Sequence, residues 1–238
     1  MKKKFVVLTG AGISAESGMK TFRDNDGMWE EYDVMEVASI DGWRRNPALV
    51  QEFYNQRRRQ LEHVEPNEAH KILAELERDF DMRIVTQNVD NLHERAGSTK
   101  VIHLHGLLTQ ARSVNNPNLV VDIGYRDIKM GETASDGAQL RPNIVWFGED
   151  VPLISEAAHY VREADLFAVI GSSLVVYPAA GLVSYLKPKA TAFLIDPKGV
   201  EMRLPSGFVF IQAPATTGTA RMRDMLLDGA GDPKQDNS

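Results

Sequence analysis

Phe5-Val6-Val7-Leu8 is a compact apolar run, and Thr9-Gly10 ends it. Four residues of this kind, bounded by a turn signal, read as a strand buried on both faces. Directly behind it stands Gly10-Ala11-Gly12-Ile13-Ser14-Ala15, and a short helix is predicted over residues 13–16. Strand, glycine turn and helix in this order fit the dinucleotide fingerprint. In that fingerprint the glycines admit a pyrophosphate close to the backbone at a helix N-terminus. The pattern alone also fits a plain tight turn between a strand and a helix.

The same rhythm returns along the chain. Strands are predicted at 82–85, 100–104, 166–170, 192–195 and 208–211. Helices are predicted at 47–61, 67–77, 89–95, 153–162, 179–186 and 219–227. In the second of these helices Ile72, Leu73 and Leu76 share one face. Alternating strands and helices imply an α/β fold, a Rossmann-like parallel sheet with helices on both faces. Two stretches break the rhythm. Residues 18–39 hold scattered aromatics without a clean period and read as a long functional loop. Residues 107–141 are polar, with one apolar run near 119–123, and read as a small inserted module. The expected division is one catalytic domain over 1–238. Its Rossmann-like part covers about 1–30, 80–106 and 141–228. A helical insertion covers about 31–79, a second insertion about 107–140, and 229–238 form a flexible tail.

Composition narrows the partners. Among 238 residues, 27 Lys and Arg stand against 33 Asp and Glu, a net charge of −6. That is not the basic excess of a duplex-binding surface, so direct nucleic-acid binding is not expected. There is no cysteine, which excludes disulfides, thiol nucleophiles and cysteine-held zinc. No stretch reaches the roughly 20 apolar residues of a membrane span, and the apolar run after Met1-Lys2-Lys3-Lys4 is too short for a signal peptide. A soluble, cytoplasmic protein, monomeric and without a membrane partner, is the expectation.

Two further segments carry chemistry. Gln87-Asn88-Val89-Asp90 follows a predicted strand and precedes a helix, where an α/β sheet gathers its ligand contacts. Asn88 or Asp90 could equally cap that helix. His103 and His105 alternate along a strand and therefore face opposite sides. His105, beside Gly106 at the strand's end, is the better general base, and the pair cannot share a metal ion. An ordinary dehydrogenase would carry a second strand and a ribose-binding acid about 20 residues after the glycine turn. Here Glu30 and Glu31 occupy that distance in an aromatic loop, which argues against that class.

Taken together these segments resemble the sirtuin family. Thr9 to Gly18 with Thr21-Phe22-Arg23 is similar to the family's NAD loop. Thr86-Gln87-Asn88-Val89-Asp90-Asn91-Leu92-His93 is similar to its second motif, and Leu104-His105-Gly106 to its catalytic histidine motif. Arg141-Pro142-Asn143-Ile144-Val145-Trp146-Phe147-Gly148-Glu149 resembles the substrate loop. Gly171-Ser172-Ser173-Leu174, with Val175-Val176-Tyr177-Pro178-Ala179, resembles a cofactor and substrate segment. The resemblance implies an NAD-dependent protein-lysine deacylase that consumes NAD. The acyl oxygen attacks the nicotinamide ribose, nicotinamide leaves, and a histidine then acts as base on a ribose hydroxyl. Nicotinamide, acyl-ADP-ribose and free lysine are the products.

Carried onto this chain, the resemblance makes His105 the base, with Asn88 and Asp90 on the nicotinamide amide and water. It implies cofactor contacts from Gly10, Ala11, Gly12, Ala15, Glu16, Thr21, Phe22, Arg23 and Trp29. Others come from Gln87, Val89, Gly171, Ser172, Ser173, Leu194, Ile195, Asp196 and Ala215. Val145, Trp146, Phe147, Gly148 and Val176 would bind the acyl-lysine peptide, largely by strand addition. Tyr54 and Arg57 stand one helical turn apart, and phenol plus guanidinium suit a carboxylate. The succinyl- and malonyl-removing branch of the family has such a Tyr-x-x-Arg pair. Arg57 could instead belong to a solvated face with Arg58 and Arg59.

Two departures from the family pattern follow. Most sirtuins hold a structural zinc with four cysteines in the inserted module; here no bound zinc is expected. The module should hold itself by packing of Leu119, Val120, Val121 and Ile123. Leu194 stands where many members have an adenosine-binding asparagine, and Asp196 could take over the ribose hydroxyls. The rival readings are an ADP-ribosyltransferase or NAD hydrolase on the same residues, and a non-catalytic NAD or ADP-ribose sensor.

Overall fold

The computed structural model describes residues 1–19, 28–29 and 32–228, with the backbone alone at 28–29. Its spine is β1 (Lys4–Thr9), followed by the single turn α1 (Gly12–Ala15). A short antiparallel pair, β2 (Met28–Trp29) and β3 (Tyr32–Asp33), leads into α2 (Val34–Val37), α3 (Ile40–Arg45), α4 (Pro47–Glu62) and α5 (Glu68–Leu76). The chain continues through β4 (Asp81–Thr86), α6 (Leu92–Arg95) and β5 (Val101–His103). The inserted module then supplies β6 (Gly106–Ser113), β7 (Val120–Asp122) and β8 (Leu140–Ile144). The last stretch holds α7 (Ile154–Glu163), β9 (Leu166–Ile170), a 3-10 helix (Ala179–Tyr185), β10 (Thr191–Ile195), β11 (Phe208–Ile211) and α8 (Ala215–Leu227).

Six strands form one parallel sheet in the order β11-β10-β9-β1-β4-β5. Alternation along β1 fills two cores. Phe5 and Val7 pack against α5 and α8 through Ile72, Leu73, Leu76 and Met222. Val6 and Leu8 pack against α7 and the 3-10 helix through Ala157, Val161 and Leu182. Both faces are covered, which explains why β1, β9 and β10 read as unbroken apolar runs. Register then fixes the site. Thr9 pairs with Thr86 and Ile170, Thr86 with His103, and Ile170 with Ile195. Five strands therefore end level with one another, and the loops that follow share one edge.

Residues 18–39 are not a bare loop. They contain β2, β3 and α2, and α3 follows. These turns are short, so periodicity does not reveal them; their caps do. The Asp33 carboxylate accepts from Met35 N–H at 2.7 Å, and Ser39 Oγ accepts from Gly42 N–H at 2.9 Å. The helix expected at 89–95 shrinks to Leu92–Arg95, because 87–91 stay irregular at the sheet edge.

The module is a three-stranded antiparallel sheet, β7-β6-β8. Its expected packing is corrected in part. Val120 and Val121 are 40% and 42% exposed, and the small core consists of Ala111, Ile123, Ile128 and Leu140. β7 is an outer strand of only three residues, so its side chains find no covering layer. The module is anchored instead by polar groups of α4. Asn55 donates to the Ile128 carbonyl and accepts from its N–H, both at 3.0 Å. The buried Arg58 donates to the Leu108 carbonyl, and Arg59 pairs with Asp127. Among the described residues no group of three or more His, Asp or Glu is arranged to hold a metal ion. No helix among them is long and apolar enough to cross a membrane.

Two buried imidazoles, His70 and His93, lie 4.9 Å apart by ring centroids. Thr9 Oγ1 meets His93 Nε2 at 3.1 Å, and Asn67 N–H donates to His70 Nδ1 at 3.3 Å. Burial lowers both pKa values, that of His70 to about 4. Unfolding restores the ordinary value near ~6.5, so the unfolded chain binds more protons between those limits. Stability is therefore full above pH ~6.5 and is lost as pH falls toward about 4. Thermal melts from pH 7.5 to 4.5 should show this decline, and His70→Asn should flatten it. A melting temperature level down to pH 4.5 would contradict the assignment.

Candidate active site

A cavity of about 510 Å³ opens at the level strand ends. Its floor is made by the loops after β1, β4, β9 and β10, and its far wall by α4 and the segment after β8. The floor is backbone and small side chains, from Gly10, Ala11, Gly12 and Ala15 across to Gly171, Ser172 and Ser173. A flat, backbone-lined floor with hydroxyls suits a dinucleotide, whose phosphates need amide donors rather than bulk.

The glycines also make a loop-to-loop contact that the fingerprint does not announce. A Cβ at Gly12 would stand 2.7 Å from Gly171 Cα, and one at Gly10 would stand 2.8 Å from the Gly171 carbonyl oxygen. Gly171 itself has φ +61°, and its Cβ would meet Ile13 N at 2.3 Å. Gly12 N–H donates to the Gly171 carbonyl at 2.8 Å. The glycine turn thus closes on the loop after β9, and the paired loops together face the cavity.

Three side chains from two loops form a buried cluster. Asn88 Nδ2 donates to Ser14 Oγ at 3.1 Å, and Ser14 Oγ–H donates to Asp90 Oδ2 at 2.9 Å. Leu92 N–H donates to Asp90 Oδ1 at 3.1 Å. Asp90 therefore receives the first N–H of α6, whose N-cap is Asn91, while also lining the cavity. Burial raises the Asp90 carboxyl above its usual range, opposed by these two hydrogen bonds. Ser14 was not singled out from the sequence. Its signal was present: a hydroxyl inside the glycine motif, on the helix turn that faces the ligand side.

His105 follows β5 and its Nδ1 lies 3.0 Å from the Gln87 carbonyl. A carbonyl only accepts, so Nδ1 carries the proton and Nε2 keeps its lone pair. Burial lowers the His105 pKa, partly offset by the Gln87 bond. The ring is thus neutral at neutral pH, as a general base requires. Gln87 also donates to Ser172 Oγ at 2.8 Å, which ties the loops after β4 and β9 together.

Beside the loop after β10, Ile195, Asp196 and Ala215 line the cavity. Asp196 Oδ1 also accepts from Lys198 N–H at 2.9 Å, capping its own turn. Leu194 does not line the cavity; its side chain belongs to the core on the α7 face, because strand alternation turns it away from Ile195. Glu16 is bound to the first turn of α8, accepting from Thr216 N–H at 2.9 Å and from its hydroxyl at 2.8 Å. Thr21, Phe22 and Arg23 lie outside the described residues, as does the side chain of Trp29.

On the opposite wall, Tyr54 and Arg57 are both buried and both line the cavity. Arg57 is thus no part of a solvated face. Burial raises the Tyr54 pKa, so the phenol keeps its proton and remains a donor. Trp146 packs 6.0 Å from the Tyr54 ring, and the Arg141 guanidinium stacks 3.4 Å from the indole centroid. Arg141 also holds Glu149 through two bonds of 2.7 and 2.9 Å. Val145, Gly148 and Val176 line the same space. Phe147 differs from its expected role in strand addition. Its N–H donates to Ala38 at 2.9 Å and its carbonyl accepts from Ile40 at 3.0 Å.

Fold and site together define an α/β dinucleotide-binding protein with a neutral base held over one end of its cavity. The chain belongs to the Sir2 family, whose model matches residues 10–178. It is 52% identical over 231 residues to an NAD-dependent protein deacylase of Helicobacter pylori strain J99, covering 96% of this chain and 97% of that one. A second protein of that name, from Bacteroides thetaiotaomicron, is 50% identical over 230 residues, covering 94% and 98%. Among solved structures, a Sir2 homologue in complex with NAD superposes with a TM-score of 0.84 at 36% identity, covering 93% of this chain and 88% of that one. A Sir2 mutant with p53 peptide and NAD gives 0.76 at 28% identity, covering 94% and 93%.

The glycine contact makes a sharp prediction. Gly12→Ala should lower stability by about 1–3 kcal/mol through overpacking against Gly171. It should also weaken NAD binding, measured by calorimetry on the folded fraction. Wild-type values for both would show that the loops do not touch as described.

Proposed function

We propose that this chain removes acyl groups from protein lysines at the expense of NAD, and that its acyl pocket favours chains ending in a carboxylate. The observation that carries the first part is His105, which lines the cavity while the Gln87 carbonyl holds its Nδ1. The deacylases of similar sequence and the NAD- and peptide-bound Sir2 structures support it. When bound, NAD supplies a ribose carbon that can exchange its nicotinamide for the oxygen of an acyl-lysine.

The chain's own residues do the rest. The loops after β1 and β9 would hold the dinucleotide, with Gln87 and the Asn88–Ser14–Asp90 cluster at its nicotinamide end. His105 would take the proton from a ribose hydroxyl at Nε2, while Gln87 stabilises the ring as it becomes positive. Positioning does much of the work, since reactive groups are held at one sheet edge before any substrate arrives. In this reading the parallel sheet carries the dinucleotide, and the insertions at about 31–79 and 107–140 shape the acyl-lysine side.

The second part rests on Tyr54 and Arg57. A neutral phenol and a guanidinium, one turn apart on α4 and both buried in the cavity wall, would offer donors to a carboxylate. The methyl end of an acetyl group offers them no acceptor. Arg57→Met should therefore reduce removal of succinyl groups about tenfold or more beyond its effect on acetyl groups. Mass spectrometry on matched acetyl-, succinyl- and malonyl-lysine peptides reads this directly, and equal loss on all three would reject the preference.

His105→Ala should reduce deacylation about 100-fold or more. In the native chain the rate should fall at acid pH as the ring gains its proton. Because burial lowers that pKa, the limb should lie below histidine's ordinary ~6.5. An acid limb above pH 7, or a fully active alanine variant, would remove the base from the mechanism.

A further inference from the structure

Two histidines flank the end of β5, and only His105 lines the cavity. His103 nevertheless reaches the same loop. Its Nδ1 lies 3.2 Å from the Asn88 carbonyl, as His105 Nδ1 lies 3.0 Å from the Gln87 carbonyl. Consecutive carbonyls of one turn are thus held by alternate residues after one strand. His103 Nε2 lies 2.6 Å from Glu94 Oε1, on the helix that begins where this turn ends. Its side chain is only 9% exposed, so the ring is a built contact rather than a surface imidazole in passing.

The turn at 87–91 lies outside the strands; Gln87 N–H donates to the Thr9 carbonyl, Asn88 N–H to Thr86 Oγ1, and the Val89 carbonyl accepts from Leu108 N–H, which leaves the Asn88 carbonyl to His103. Ser14 grips the Asn88 side chain from the β1 side. His103 grips the Asn88 backbone from the β5 side, and Glu94 fixes the ring's orientation. Between them the amide of Asn88 is left few positions, and Asp90 follows it in the chain.

We infer that His103, oriented by Glu94, is a positioning residue that sets the Asn88 backbone and so the nicotinamide end of the dinucleotide site. The inference rests on the NAD-dependent reading above. It assigns His103 no contact with substrate or cofactor.

The test uses the full chain with His103→Leu, His103→Gln and Glu94→Gln. Leucine fills the space without a donor; glutamine can still donate to the carbonyl. NAD binding is measured by calorimetry, deacetylation by steady-state kinetics, and folding by melting temperature. His103→Leu should raise Kd and KM for NAD about tenfold and leave KM for the acyl peptide unchanged. His103→Gln should recover most of this, and Glu94→Gln should show a smaller rise of the same kind. Wild-type NAD affinity in the leucine variant overturns the inference, as does equal damage in both His103 variants. If the leucine variant does not fold, Glu94→Gln decides, since Glu94 is partly exposed: unchanged NAD affinity there also overturns it. An inactive wild-type chain would sink the deacylase reading but leave the calorimetric comparison standing.

Discussion

Where the turn after β1 meets the turn after β9, backbone lies directly on backbone. Gly12 N–H bonds the Gly171 carbonyl, and neither turn has room for a single extra carbon. The rest of the site depends on this contact. It sets Ser14 above Asn88 and Asp90, and it holds Ser172 within reach of Gln87. Gln87 in turn orients His105. The chain of hydrogen bonds from the first strand to His105 is therefore continuous. Each link is short, buried or half-buried, and supplied by a loop that starts at the same height on the sheet. Polar groups held this way by one another need little reorganisation when charge shifts between them.

The module without cysteines shows a second way to stabilise an insertion. Its apolar core has four buried residues, too few to hold three short strands alone. α4 supplies the difference by bonding the module's backbone at Ile128 and Leu108 and by pairing Arg59 with Asp127. A buried guanidinium such as Arg58 is expensive to desolvate, and burial lowers its pKa to about 10. Its hydrogen bonds to Leu108 and Asn55 offset that penalty only in this one arrangement, so they specify the docking geometry as well as favour it.

Much of this was legible in the sequence. The strands β1, β9 and β10 stand out because both their faces are buried and their apolar runs are unbroken; Leu166–Ile170 and Phe208–Ile211 match to the residue. The site motifs stand out because they follow strands. What stayed hidden had physical causes. α2 and α3 are too short for a period to register, and only their Asp33 and Ser39 caps betray them. Val120 and Val121 look like core but sit on an uncovered outer strand. Leu194 sits in a motif yet points away, since alternation along β10 outranks adjacency. Phe147 seemed free to pair with a peptide, but a bridge to residues 38–40 is a long-range pairing that no local pattern announces.

α4 carries two kinds of residue on interleaved positions. Gln51, Asn55, Arg58 and Arg59 grip the module, while Tyr54 and Arg57 face the cavity. In the reading proposed above, selectivity and scaffold are written on one cylinder, a residue or two apart. Such a helix can drift in what it recognises only by exchanging side chains in place. Any shift of its axis that widened the pocket would tear its neighbour loose. For evolution, and for anyone redesigning the enzyme, this confines variation to two positions and leaves the rest of the helix under lock.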